Sequence, residues 1–67
     1  MVFIEGIEVT QEHIGELVLY IPTHANGDKT HVDTELGFIS SFNGDKIWVR
    51  YKGPSGALTP SHLLRWA

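Results

Sequence analysis

The sequence predicts an all-β fold: a small SH3-like barrel of about five short antiparallel strands with one-turn helices, a single domain over residues 1–67. Three observations lead there. Glu35 to Lys52, ELGFISSFNGDKIWVRYK, reads as a hairpin around Asn43-Gly44, two residues that tolerate the positive φ angles of a type I′ turn. Leu17 to Ile21, LVLYI, is a short apolar run closed by Pro22, which cannot donate to a ladder. Thr59-Pro60-Ser61-His62 has the form of a capped helical turn, with Thr59 as N-cap and Pro60 at the first helical position, just before the closing residues Leu63 to Trp66.

Taken in order, residues 2–9 form a short strand interrupted by Gly6. Glu5, Glu8, Glu12 and Glu16 have helical spacing, but Gly6, Val9, Thr10 and Gly15 weaken a continuous helix, so the expectation is one turn over Gln11 to Ile14 capped by Thr10, with the acids solvated. Leu17 to Ile21 is apolar on both faces and belongs in the middle of the sheet. Thirteen structureless residues after it would be unusual in so small a domain. Asn26-Gly27 offers hidden order there, a second I′ turn pairing His24 with Lys29 and Pro22 with His31. His24 and His31 would then share a face, roughly 7–8 Å apart at Cα.

In the central hairpin, a two-residue Asn43-Gly44 loop pairs Phe42 with Asp45, Ser40 with Ile47, Phe38 with Val49 and Leu36 with Tyr51. Cross-strand partners share a face. Leu36, Phe38, Ile47, Val49 and Tyr51 are therefore expected inside, while Ile39, Trp48, Arg50 and Lys52 lie on an aromatic–basic outside. Gly53-Pro54-Ser55-Gly56 is a turn with proline at its favoured position, and Ala57-Leu58 a short strand. Phe38, Val49, Tyr51, Leu63 and Leu19 are assigned to the core.

A chain of 67 residues buries only about 60% of its unfolded surface, so its core is marginal without a further staple. It has no cysteine, which removes disulfides and thiolate zinc sites and leaves self-association or a histidine-based metal site. The absence of cysteine fits a reducing cytosol, no apolar run approaches a membrane span, and Met1 to Ile4 is too short for a signal core; a soluble, intracellular protein is expected. The net charge of −3 argues against a general nucleic-acid binder. The charge is segregated, however. Through Glu35 there are seven acids and one base; beyond it Asp45 stands alone against Lys46, Arg50, Lys52 and Arg65.

Imidazole and carboxylate ligands suit zinc, which makes His24, Asp28, His31 and Asp33 the metal candidates. Their spacing matches no established metal signature and such residues are common in loops, so no cofactor is expected. Trp48 with Arg50 and Lys52 is the stronger ligand surface, since an indole stacks on a base while cations meet phosphate; His24 or Arg65 would join it. The competing expectation is that residues 1–9 or another subunit cover Trp48 and Ile39. Ser55 lacks a nucleophile elbow, adjacent Ser61 and His62 diverge, and no glycine-rich phosphate loop exists. The chain is not expected to be an enzyme.

From Gly15 to Leu63, about three quarters of the sequence, the chain resembles a group of very small proteins encoded by tailed bacteriophages and prophages. The likeness is carried by Tyr20-Ile21-Pro22, His24-Ala25, Gly27-Asp28, His31, Asp33, Glu35, Gly37, Ser40, Asn43, Val49-Arg50-Tyr51 and the Thr59-Pro60 to Leu63 ending. Members often carry a cysteine before the glutamate, where Thr34 stands here, so any thiolate role is absent. The resemblance implies a phage origin and action in an infected bacterial cytoplasm, without naming a reaction. Two functions follow as expectations. One is a homo-oligomeric protein capturing an anionic nucleotide or nucleic-acid segment, such as a host signal; the other is an adaptor or inhibitor of a host protein, using a sheet edge or the acidic face.

Overall fold

The computed structural model describes residues 1–67 as seven short strands and three single 3₁₀ turns. Strands β1 (Phe3–Ile4) and β2 (Ile7–Glu8) form a small hairpin. Strands β3 (Leu17–Tyr20), β4 (Glu35–Asn43), β5 (Lys46–Arg50), β6 (Ala57–Thr59) and β7 (Leu64–Trp66) form one antiparallel sheet in the order β6-β5-β4-β3-β7. The last strand returns to pair with β3, directly after a 3₁₀ turn at Ser61–Leu63, as expected for an SH3-like barrel. Thr59 is the end of β6 rather than a cap; its buried hydroxyl donates to the Ala57 carbonyl. The turn after Thr10 is present over Gln11–His13, held by the Thr10 N–H donating to His13 Nδ1 at 2.9 Å.

The central hairpin forms, in a different register from the one expected. The bend is Gly44-Asp45, and Asn43 pairs with Lys46. Only Gly44 of the two has positive φ (61°), the pattern of a type II′ turn with glycine first. Phe42 then pairs with Ile47 and Ser41 with Trp48; a β-bulge follows, and pairing resumes at Ile39–Val49 and Phe38–Arg50. The extra residue is Ser40. Because side chains alternate, one inserted residue exchanges the faces of everything before it. Strand β5 points as expected, with Ile47 and Val49 fully buried. The first half of β4 is inverted: Ile39 is fully buried, while Leu36 is 54% exposed and Phe38 lies on the outer face beside Arg50.

Gly37 now faces inward, opposite buried Val18. A Cβ there would sit 2.6 Å from the Arg50 carbonyl oxygen and 2.8 Å from Val49 Cγ1, so its absence lets β4 approach the end of β5. The second predicted hairpin, at Asn26-Gly27, does not form. Both residues do have positive φ (52° and 75°), but the flanking chain folds into local turns. Thr23–Ala25 is a 3₁₀ turn in which the Ala25 N–H donates to the Pro22 carbonyl, with Ala25 itself buried. Proline cannot supply a ladder donor, and Ala25 anchors the turn instead.

The core is Val2, Ile4, Val9, Val18, Ile39, Ile47, Val49 and Leu64, flanked by Tyr20, Phe42, Tyr51 and Trp66. The β1–β2 hairpin covers the inner face of the sheet, so residues 1–9 do cover Ile39; Trp48 is on the opposite face. The hairpin is tied to β7. The Trp66 N–H donates to Glu5 Oε1 at 2.7 Å and its indole N–H to the Ile4 carbonyl at 3.0 Å, with the His13 ring 4.9 Å away. Glu5 is thus a latch, not a member of a freely solvated acid row.

The register makes opposite demands on two neighbouring positions. Ile39→Ala should lower unfolding free energy by about 3 kcal/mol, whereas Leu36→Ala should change it by about 0.5 kcal/mol or less. Urea denaturation of both variants checks this; equal losses would mean that the bulge is misplaced.

Candidate functional site

The bulge creates the outer face of the sheet. Leu17 pairs with Phe38, Leu19 with both Leu36 and Arg65, Phe38 with Arg50, and Trp48 with Ser41 and Leu58. Each of these shares the outward side, opposite the buried Val18, Ile39, Val49 and Ile47. Leu17 is 52% exposed and Leu58 56%, against the half-buried Phe38, Trp48 and Arg50 between them. None of the strand residues on this face is acidic, although the chain carries net charge −3; Lys46, Arg50 and Arg65 are its charged members.

Arg50 is the centre of this surface. Its guanidinium carbon lies 5.4 Å from the centroid of the Phe38 ring, a cation–π distance. One Nη donates to the Gly53 carbonyl at 3.3 Å, while Nε is buried without a hydrogen-bond partner. Trp48 is two residues away on the same strand and the same side. The structure therefore brings Trp48 and Arg50 together as expected and adds Phe38, which the expected register had put in the core.

The other predicted ligand residues lie elsewhere. Arg65 shares the outer face but sits on β7, three strands from β5, or about 14 Å at ordinary strand spacing. Its guanidinium is engaged by the His62 and Leu64 carbonyls at 3.0 and 2.9 Å. Lys52 lies beyond the end of β5 and lines a hollow with Val32, Thr34, Glu35, Leu36 and Tyr51. His24 is in the loop between β3 and β4, where its Nε2 is 2.7 Å from Asp33 Oδ2 and its ring meets that of His31 edge-on, centroids 5.4 Å apart. One ligand atom from each of His24, His31 and Asp33 lies within 4.8 Å of the other two. Asp28 is not in that cluster. Its carboxylate accepts the N–H and hydroxyl of Thr30 at 2.9 and 2.7 Å, and those bonds hold it below its ordinary pKa of 3.8.

A further hollow of about 300 Å³ at one end of the barrel is lined by Tyr20, Glu35, Tyr51, Leu58, Thr59 and Pro60, among others. The two tyrosine rings meet edge-on at 6.2 Å, and the Tyr51 hydroxyl is 3.0 Å from that of Thr59. Burial holds the Tyr51 phenol above its ordinary value of 10, and the nearby Glu35 carboxylate acts in the same direction.

No family model, curated protein or solved structure matches the chain. No helix is long and apolar enough to cross a membrane.

The raised Tyr51 pKa links ionisation to folding. Since the folded value exceeds the unfolded one, its stabilising contribution is complete below pH 10 and is lost as pH rises through the folded value. Absorbance titration at the tyrosinate band should show one phenol ionising late, and Tyr51→Phe should remove that component and flatten the alkaline fall in stability.

Proposed function

We propose that the chain is a non-enzymatic binding protein that associates with further copies of itself and captures an anionic nucleotide or nucleic-acid segment on the outer face of its sheet. The observation that carries this reading is the outer face, whose strand residues include no acid and where exposed leucines flank Trp48 and the Phe38–Arg50 cation–π pair. A base gains roughly 1–3 kcal/mol by stacking on an aromatic ring. A guanidinium forms charge-assisted bonds with phosphate. The exposed leucines supply a reason for copies to meet, since apolar patches of this kind mark interfaces.

Two such faces brought together would oppose cation to cation. An anion between them would relieve that repulsion, so ligand capture and association should be coupled. In an infected bacterium, the setting implied by the likeness to phage proteins, such a protein would act by sequestering a host nucleotide signal in the cytoplasm. That use is an analogy of setting.

A second reading is an adaptor or inhibitor of a host protein. It is favoured by the same leucines and by the edge of β6, which no further strand pairs and which offers backbone groups for strand addition.

Calorimetry against cyclic and linear nucleotides and short oligonucleotides, with light scattering for mass, separates the two. The nucleotide reading expects binding that weakens at least about tenfold, or 1.4 kcal/mol, in Arg50→Ala or Trp48→Ala, with assembly mass rising on ligand addition. Absence of heat with every nucleotide and oligonucleotide would overturn it.

A further inference from the structure

We infer that His24, His31 and Asp33 form a binding site for a divalent transition-metal ion, with Zn²⁺ as the best chemical match. Two imidazoles and one carboxylate are a common protein ligand set for zinc, leaving a fourth position open. An exposed ion pair would by itself explain His24 against Asp33, side chains 63% and 53% exposed and 2.7 Å apart. The His31 ring, held by the Asp33 N–H at its Nδ1, stands edge-on to His24 and brings a third metal-competent group to the same place.

The distances are close to what an ion requires. Around a tetrahedral zinc with bonds of about 2.0–2.2 Å, ligand atoms lie roughly 3.3–3.6 Å apart. The closest pair here must open by about 0.6–0.9 Å, and the widest, within 4.8 Å, must close by no more than about 1.5 Å. Side chains at the surface make such adjustments by rotation without disturbing the core.

The backbone beneath them is already organised. His31 N–H donates to the Asp28 carbonyl at 3.2 Å, Thr34 N–H to the His31 carbonyl at 3.1 Å, and Thr34 Oγ1 to the same carbonyl at 2.9 Å. Asp28, through its bonds to Thr30, shapes the loop rather than ligating. One bond opposes the ion: His31 Nδ1 accepts the Asp33 N–H at 3.0 Å, which puts the neutral ring's proton on Nε2. Coordination requires the His31 ring to give up that bond, and His24 to carry its proton on Nδ1. The released N–H is in an exposed loop where water can take its place, a small loss against coordination by three ligands.

The ion would clip the two limbs of the loop between β3 and β4 in a chain with no cysteine to do so. Because imidazole ligands must be deprotonated, affinity should fall on acidification.

The test uses the full chain, stripped with EDTA and dialysed, then titrated with ZnCl₂ by calorimetry and melted with and without the metal. The expected result is one equivalent bound, with a melting temperature raised by about 10–20 °C at a hundredfold excess over Kd. Affinity should drop at least tenfold in His24→Ala, His31→Ala and Asp33→Asn, and stay unchanged in His62→Gln. Circular dichroism establishes that each variant is folded, and Co²⁺ substitution should give visible bands that His31→Ala abolishes. No stoichiometric binding, or equal affinity in folded His31→Ala, would overturn the assignment.

Discussion

Ser40 occupies the position on which the rest of the sheet turns. Without an extra residue there, strict alternation from Phe42 would send Ile39 to solvent and Leu36 and Phe38 to the core. With it, Phe42 and Ile39 both reach the inner face, on either side of an interruption in the β4–β5 ladder. Gly37 follows onto the crowded inner side, where no Cβ fits, and Phe38 is left beneath the Arg50 guanidinium. The core, the close approach of β4 to β5 and the outer aromatic–cation cluster are all consequences of that one insertion.

The inner face needs a cover, because a five-stranded sheet in so short a chain leaves one side of its apolar residues open. The β1–β2 hairpin supplies it through Val2, Ile4 and Val9. Its hold on the C-terminal strand comes from Trp66, which gives both its backbone and its indole N–H to residues of that hairpin. Glu5 adopts a left-handed backbone (φ 51°) at the hairpin bend, where its carboxylate meets the Trp66 N–H. First and last strands thereby close on each other, and the sheet's other side is left to solvent.

That other side gathers the charge asymmetry of the chain into one place. Glu35 faces inward at the barrel end, beside Tyr20, while Lys46, Arg50 and Arg65 face out. A chain with more acids than bases can thus present a surface whose strand residues include no acid at all. Field at a surface depends on which side of a sheet each charge takes, and net charge alone does not reveal it.

Much of this could be read from local signals. The all-β class, the closing turn before the last strand, and the alternation of Ile47, Val49 and Tyr51 against Trp48 and Arg50 depend on short-range pattern and turn chemistry. Phe38's outward position was hidden because a bulge has no reliable local signature; it is chosen when Ile39 and Phe42 compete for the same interior. His24 and His31 do approach each other, but through successive turns pinned by buried Ala25 rather than through a strand pair. Residue identity and spacing determined which elements form. Which side of β4 became the inside was settled only when the β1–β2 hairpin, β5 and β7 packed together, because burial of Ile39 is a contact with residues distant in sequence.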